Sequence, residues 1–507
     1  MNETVRKSPS ERRKNAFYAV ALAAYIALNV FFLLHHENWR DEAQAWLLSR
    51  DLSIPELIRQ MSYEGHPCLW HLLLMPLAKL GALYISMNVL SLAIMAAAAA
   101  LFLWKSPLPL PLKLLALFGG AFVYFYPVIS RSYCLIPLFA FLMAAFYADR
   151  REKPLRYGLA IALMVQTHII MLGFAAAASL VWLGEAVCGY RRDRNRRALL
   201  LQGGGLTLPL LSFLFLLLQI LNVQESSAYK ADMHALLDIF PQTMQFLRRF
   251  PGPLGVILAV LFAGGGILLL IYLLRRRAFG VLKPLLVVAL GLTFQVVMHF
   301  AVYPSDKTRK LTCIFMLLWF AWVAWPQLPA VWLRRLLGIA VAAVLAVTYI
   351  LFPMAFKDVK SLYSDAQNCA AFIRENLPAD AVFLETQEAY CSALLPYLPK
   401  EYTFYSPYDG EPISYVTWSG AHYAQMELGD YESVCDWARK LDPECKQIYL
   451  IYTQANSPLE KALSENLSAH LTEEMQLYCT SFDEGVPMKE SYAIYAIPID
   501  GESAGNA

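Results

Sequence analysis

Residues 35 to 84 read HHENWRDEAQAWLLSRDLSIPELIRQMSYEGHPCLWHLLLMPLAKLGALY. They follow an apolar run at 16–34 and are too polar to cross a bilayer themselves. No other part of the hydrophobic region is so dense in groups that move protons or bind metals, namely Asp41, Glu42, Asp51, Glu56, Glu64, His35, His36, His66 and His71. We therefore expect the rest of the chain to be organised around this segment, called here the 35–84 stretch.

A short helix is predicted from Trp39 onward. Its apolar side carries Trp39, Ala43, Trp46 and Leu47, a pattern typical of a helix in the membrane interface. On the same wheel Asp41 lies about 200° from Trp39, and Glu42 lies about 60° from it. Asn38 could be the N-cap of this helix, with Asp41 and Glu42 stabilising its first turn. The spacing alone leaves open whether the two carboxylates are catalytic or only cap the helix.

Composition places the chain among polytopic membrane proteins. It has 507 residues, 58% of them hydrophobic, and a mean hydropathy of +0.43. Residues 1–356 hold 33 Lys+Arg and 16 Asp+Glu, a net charge of +17, whereas residues 357–507 hold 9 and 24, a net charge of −15. The basic excess is explained by the placement of basic loops on the cytoplasmic side of the membrane and does not indicate nucleic-acid binding.

Eleven membrane spans are predicted from the apolar runs. They are 16–34, 84–104, 112–129, 134–148, 156–173, 174–190, 198–221, 252–274, 282–302, 311–326 and 336–355. The run 67–80 has only fourteen residues and contains His71, Pro76 and Lys79, so we expect it to lie in the interface. With this assignment almost all of the basic clusters fall on the cytoplasmic side, as the positive-inside rule requires.

The predicted topology defines two domains. Residues 1–356 form the transmembrane domain, with a cytoplasmic N-terminus and an uncleaved first span. Residues 357–507 follow outside the membrane, where strand-like runs at 381–385, 447–452 and 492–497 alternate with helical patterns at 431–441 and 457–467. We predict a mainly α membrane protein with a small extracytoplasmic α/β domain.

Three further groups of candidate residues share the outer face in this topology, and each has a second interpretation. Arg131 and Tyr133 occupy a short loop, where an arginine often only contacts lipid headgroups. His168 lies near the end of a span and could simply bond a neighbouring helix. The loop 303–310, with Lys307 and Arg309, is either a solvated loop or a clamp for a phosphate.

The Asp41-Glu42 pair directly after the first span, followed by Gly65-His66-Pro67-Cys68-Leu69, resembles the GT-C membrane glycosyltransferases. The closer similarity is to protein O-mannosyltransferases and aminoarabinose transferases, over residues 16 to 310. This resemblance implies an inverting transfer of sugar from a polyprenyl-phosphate donor, with Asp41 as the base and Glu42 beside it. Similar enzymes often carry Arg-x-Tyr and Thr-His where this chain has Arg131 to Tyr133 and Thr167-His168, which implies substrate binding by these residues and by His66.

The chain departs from that family at three places. Many relatives carry a second proline, where this chain has Cys68. Many have a lysine before the prolines, where this chain has His66, so a lysine contact to the donor phosphate does not carry over. Many also have an acid two residues before the arginine, where this chain has Ile129. A second acid from that loop is missing, which weakens a metal bridge between the two loops.

The sequence therefore predicts a membrane glycosyltransferase of the bacterial plasma membrane. Its expected partners are a polyprenyl-phosphate sugar donor, a glycan, lipid or protein acceptor, and membrane lipids, without nucleic acid. No cofactor is expected to be obligatory and no metal ligand is assigned, although a divalent cation near Asp41, Glu42 and His66 is compatible with the chain. The alternatives are a ligase or polymerase that moves whole glycans from a polyprenyl carrier, and a transporter or flippase of lipid-linked sugars.

Overall fold

A computed structural model describes residues 8–220, 237, 241–242, 253–302, 307–480 and 490–499, with 253–263 and 307 described by their backbone only. The structure is mostly helical and has a small C-terminal sheet. The first helix, α1 (Pro9–Leu33), begins at a Ser8 cap, whose hydroxyl accepts the Glu11 N–H at 3.2 Å.

The 35–84 stretch forms three short helices, α2 (Arg40–Asp51), α3 (Ile54–Glu64) and α4 (Leu69–Lys79). The N-cap of α2 is Trp39 rather than the expected Asn38, whose side-chain amide instead exchanges hydrogen bonds with that of Asn88. Gly65 ends α3 in the left-handed region with φ +68°, a conformation that a side chain disfavours. Helix α4 has eleven residues, too few to cross a bilayer, as predicted for 67–80.

In the part of the chain that the structure describes, ten further α-helices lie between α4 and residue 351. They are α5 (Ser86–Lys105), α6 (Leu110–Leu117), α7 (Leu135–Phe146), α8 (Pro154–Val165), α9 (Leu172–Asp193), α10 (Arg196–Ile220), α11 (Pro253–Arg275), α12 (Phe279–Ala301), α13 (Lys307–Ala324) and α14 (Val331–Val347).

Six helical segments of the described chain are long and apolar enough to cross a membrane. These are Pro9–Leu33, Ser86–Lys105, Ile169–Asp193, Arg196–Ile220, Phe279–Ala301 and Val331–Lys360.

Some predicted spans are shorter helices in the structure. The predicted span 112–129 contains the end of α6, after which the chain bends, with Tyr124 at φ +80°. Helices α7 and α8, predicted as longer spans, have twelve residues each. The number eleven therefore stays a prediction, while the membrane character of the chain is supported by the six long apolar helices.

The C-terminal domain (357–507) is an α/β unit. Its helices are α15 (Phe352–Lys360), which leads into it, α16 (Ala366–Asn376), α17 (Glu388–Cys391), α18 (Tyr431–Leu441) and α19 (Pro458–Ser468). Its strands are β1 (Phe383–Glu385), β2 (Phe404–Tyr405), β3 (Pro412–Ile413), β4 (Gln447–Tyr452), β5 (Gln476–Cys479) and β6 (Ala493–Pro498).

The six strands form one sheet in the order β3-β2-β1-β4-β6-β5. Strands β2, β1 and β4 are parallel, with Phe383 opposite Phe404 and Tyr449, and the remaining pairs are antiparallel. The three predicted strands are confirmed as β1, β4 and β6, and the two predicted helices as α18 and α19. The short strands β2, β3 and β5 were not predicted.

Helix α2 joins the two domains. Its residues Ala43 and Leu47 are fully buried in the core of the C-terminal domain, together with residues such as Ile373. Its residue Leu48 packs with Leu57 of α3 in a separate cluster. The 35–84 stretch is thus enclosed between the long apolar helices and the C-terminal domain.

Candidate functional site

Asp41 and Arg131 form an ion pair. The Arg131 Nη1 and the Asp41 Oδ2 are 2.7 Å apart, although Asp41 lies in the first turn of α2 and Arg131 in a loop 90 residues later. Their side chains keep 16% and 27% of their surface exposed, so both can contact a ligand. The guanidinium of Arg131 also lies 5.9 Å from the Trp39 ring and 5.5 Å from the Tyr133 ring. The structure therefore brings together two of the residues that the sequence predicted separately.

Glu42, the residue of α2 that follows Asp41, is fully buried. Its Oε1 accepts the Ser130 N–H at 2.5 Å, and its Oε2 accepts the Trp39 N–H at 3.3 Å and lies 3.0 Å from His36 Nε2. These bonds fix the backbone on both sides of the Asp41–Arg131 pair. Glu42 is thereby placed to order the site rather than to touch a ligand.

His36 continues this buried network. Its Nδ1 lies 2.8 Å from Asp358 Oδ2 in α15, so the imidazole is held between two carboxylates. Burial alone would lower the pKa of His36, but Glu42 and Asp358 raise it well above its usual range. A charged imidazolium therefore connects α2 to the segment that leads into the C-terminal domain.

Three histidines and a tyrosine form an aromatic wall. His66 stacks on His71 with ring centroids 5.5 Å apart, and His168 lies 6.1 Å from His66 and stacks on Tyr133 at 4.8 Å. Burial, together with the nearby charges of Arg131 and Arg309, lowers the pKa of His66 to about 3. His66 is therefore a neutral imidazole, able to exchange hydrogen bonds with an uncharged group.

These side chains surround one central cavity of about 620 Å³. Five of the predicted residues line it, namely Asp41, His66, Arg131, His168 and Arg309. Glu42 and Tyr133 stand behind its wall. The side chain of Lys307 lies outside the described residues, so its role stays a prediction.

The central cavity has an apolar side as well as a charged one. Ile220, Met298 and Val302 line it at the ends of α10 and α12, which are two of the long apolar helices. Arg131, Arg309 and Asp41 supply the charges. A cavity with this division suits an amphipathic ligand that carries an anionic group next to a hydrocarbon chain.

The sequence did not identify several residues of the site. Glu64, Gln44 and His71 line the cavity, and so does Trp418 from the C-terminal domain. The Glu64 carboxylate accepts from Gln44 Nε2 at 2.6 Å, and burial raises its pKa to about 7. The position of Glu64, two residues before His66, was the feature of the sequence that could have identified it. No feature of the sequence could have identified Trp418, because its place in the cavity depends on how the two domains pack.

Within the described residues, no group of three His, Cys, Asp or Glu side chains is arranged to hold a metal ion. Of Asp41 and Glu42, which the sequence placed near one possible cation, Asp41 lines the central cavity, whereas Glu42 is fully buried and does not.

No family model matches the chain, and no curated protein matches it.

Proposed function

We propose that this protein is an integral-membrane glycosyltransferase with a GT-C-like fold. It transfers a sugar from a polyprenyl-phosphate donor to an acceptor hydroxyl, with inversion at the anomeric carbon. The observation that supports this proposal is the central cavity, in which the carboxylate of Asp41 pairs with Arg131, and which Arg309 and an apolar wall also line. A phosphate between the arginines leaves room for a lipid chain along Ile220, Met298 and Val302.

Asp41 is the proposed general base. It takes the proton of the acceptor hydroxyl as the oxygen attacks the anomeric carbon, and the bond from that carbon to the phosphate oxygen breaks. The leaving polyprenyl phosphate carries the electron pair of that bond, and Arg131 and Arg309 stabilise its charge. Donor activation comes from the phosphate ester itself, so the reaction needs no nucleotide.

Because Asp41 is paired with Arg131, binding of the polyprenyl-phosphate donor is also expected to free the Asp41 carboxylate from that arginine. A phosphate accepts a forked pair of hydrogen bonds from a guanidinium and competes with Asp41 for Arg131. Donor binding then releases the Asp41 carboxylate for the acceptor. His66 and His168 contact the sugar, with Tyr133 stacked behind His168.

The proposed topology is the eleven-span one, in a bacterial plasma membrane, with a cytoplasmic N-terminus and an extracytoplasmic C-terminal domain. The donor phosphate then meets the site on the outer side, where the 35–84 stretch lies.

Arg309→Ala tests the phosphate site. The full chain is placed in nanodiscs, and binding of decaprenyl phosphate is measured by native mass spectrometry, alongside transfer from a panel of polyprenyl-phosphate sugars to membrane extracts. We expect Arg309→Ala to weaken binding and to slow transfer by roughly 10²-fold or more, because a preorganised donor to the leaving group is lost. Lys310→Ala is the matched control, since Lys310 is the next residue of α13 and is exposed to solvent.

Three results would contradict the proposal. The first is that the wild-type protein binds no decaprenyl phosphate, and the second is that the Arg309→Ala and Lys310→Ala variants behave alike. The third is movement of lipid-linked sugar across proteoliposomes without formation of a new glycosidic bond, which would identify a transporter.

A further inference from the structure

The C-terminal domain supplies part of the cavity wall. Ala389 and Ser392, in and directly after α17, line the central cavity together with Val416 and Trp418, from the loop after β3. Helix α17 follows β1, the middle of the three parallel strands. The carboxyl edge of a parallel sheet is where α/β domains usually bind ligands. In this protein that edge borders the cavity between the domains.

The loop that carries Trp418 is fixed to the 35–84 stretch by side-chain amides. Gln44 Nε2 donates to the Val416 carbonyl at 2.6 Å, and the Val416 N–H donates to Gln44 Oε1 at 3.0 Å. Gln60 Nε2 donates to the Thr417 carbonyl at 3.0 Å. Gln44 pairs with the backbone of Val416 as a neighbouring strand would, in a buried position. Trp418 is therefore held at the cavity rather than carried there by a loose loop.

The backbone at Trp418 supports a functional role for this residue. Its φ is +54°, in the left-handed region that a bulky side chain rarely adopts. Such a conformation is unfavourable and persists where the surrounding bonds enforce it. Here the bonds to the two preceding residues, Val416 and Thr417, provide that constraint.

Charge divides the cavity between two kinds of ligand. Arg131 and Arg309 attract an anion to the membrane side. The C-terminal domain carries 24 acidic and 9 basic residues, a net charge of −15, and therefore repels an anionic molecule that approaches along it. Of the residues that this domain contributes to the cavity lining, Trp418 is the aromatic one and Ser392 is the polar one. The Ser392 hydroxyl donates to the Ala389 carbonyl at 3.1 Å and keeps its capacity to accept a hydrogen bond. A flat apolar ring next to hydroxyl groups suits the C–H face and the hydroxyls of a sugar.

We propose that the C-terminal domain is the acceptor-binding half of the site and holds a saccharide without acidic groups, neutral or amino-bearing, against Trp418. This inference rests on the proposed function. The acceptor hydroxyl then points towards Asp41, between the phosphate on the membrane side and the indole on the other. The acidic domain thereby selects against phosphorylated and uronic-acid acceptors.

Saccharide binding to the full-length protein in nanodiscs, with decaprenyl phosphate present, tests this assignment. The probes are three sets of free oligosaccharides, neutral, glucosamine-based and uronic-acid-based, and saturation-transfer NMR measures their binding. We expect neutral or glucosamine-based probes to bind wild type, and the binding to weaken roughly tenfold or more in Trp418→Ala, as for a tryptophan at the centre of an interface. Trp418→Phe keeps an aromatic face and is expected to retain most of the binding.

The control is Trp332→Ala, which removes a 51% exposed tryptophan of α14. Decaprenyl phosphate binding is measured on the same samples and is expected to be unchanged in Trp418→Ala. If wild type binds decaprenyl phosphate but no saccharide, prefers the uronic-acid probes, or loses nothing on Trp418→Ala, the acceptor assignment is wrong and the proposed function stands. If wild type binds no decaprenyl phosphate, the proposed function fails first.

Discussion

Asp41 and Glu42 are adjacent carboxylates with different surroundings. Asp41 lies 2.7 Å from Arg131 and 3.8 Å from Arg40 at the edge of the central cavity, whereas Glu42 is fully buried and accepts the backbone N–H groups of Ser130 and Trp39. A base must reach its substrate, and a residue that positions the base must not move. In the proposed mechanism Asp41 is therefore the base and Glu42 positions it, whereas the helical spacing alone had left open whether either carboxylate is catalytic.

Asp41→Asn separates the two roles. Asn keeps the size of the side chain but takes no proton at neutral pH, so we expect transfer to fall roughly 10²- to 10⁴-fold. Decaprenyl phosphate binding and the apparent Tm should remain close to wild type. Glu42→Gln should instead lower the apparent Tm, because it weakens charge-assisted bonds to buried groups by roughly 1–3 kcal/mol. An active Asp41→Asn protein beside a stable, inactive Glu42→Gln protein would make Glu42 the base.

Glu64 gives the stability of the protein a dependence on pH. Burial raises its pKa to about 7, so the folded protein holds a proton that the unfolded chain loses near the usual value. The stabilisation is complete below the usual pKa of about 4.5 and is lost as pH rises through about 7, a change on the order of 3 kcal/mol. We expect Glu64→Gln, which removes the titrating proton, to reduce the fall in apparent Tm between pH 5 and pH 8.

Glu56→Gln is the control for this measurement. Bonds from Ser53 lower the pKa of the exposed Glu56 carboxyl, so any stability linked to it is lost only as pH falls below this window. The pH dependence between 5 and 8 should stay as in wild type. An equal fall in apparent Tm for the wild-type and Glu64→Gln proteins would show that Glu64 does not titrate in this range.

At the scale of elements, α2 contributes to both halves of the molecule. The predicted tryptophan side of this helix is buried inside the protein, where Trp46 is 4% exposed and packs on Tyr84. The sequence pattern located the helix and its apolar side correctly, since periodicity depends only on neighbouring residues. It did not reveal what covers that side, because the partners of Ala43 and Leu47 lie more than 300 residues later in the chain.

The same limit explains which site residues were predicted. His66 and Arg131 belong to short polar loops between apolar helices, and such loops stand out in a hydrophobic sequence. Gln44 and Trp418 act through contacts between the domains, which no local pattern records. Strands β2 and β3 have two residues each, too short for an alternating pattern to be seen.

Leu47→Ala tests whether α2 holds the C-terminal domain in place. Leu47 is fully buried in the core of that domain, so the truncation should cost roughly 2–5 kcal/mol. We expect a lower apparent Tm and faster proteolysis within the C-terminal domain of the full-length protein. Ile54→Ala removes a 51% exposed residue of the next helix and should change stability by under about 0.5 kcal/mol. Equal proteolysis of the two variants would show that the domain is stable without this contact.

At the scale of the whole molecule, the proposed orientation in the membrane decides on which side the central cavity opens. The net charge of +17 before residue 357 and of −15 after it is explained if the basic loops face the cytoplasm and the acidic domain faces outward. The central cavity then opens on the side where the 35–84 stretch and the C-terminal domain meet. A reversed chain would place the same cavity on the cytoplasmic side, and the proposed donor would have to be bound there.

Two native cysteines report this orientation without any substitution. Cys188, near the C-terminal end of α9, and Cys479, at the end of β5, are both exposed. The topology places Cys188 at the cytoplasmic end of the predicted span 174–190 and Cys479 on the outer side. Spheroplasts are treated with a membrane-impermeant maleimide, with and without lysis, and the modified peptides are identified by mass spectrometry. We expect Cys479 to react in intact spheroplasts and Cys188 only after lysis. The buried thiols of Cys369 and Cys391 should stay unmodified, which checks that the C-terminal domain is folded during labelling. Labelling of Cys188 in intact spheroplasts, with Cys479 protected, would reverse the topology and remove the outer-face donor from the proposed function.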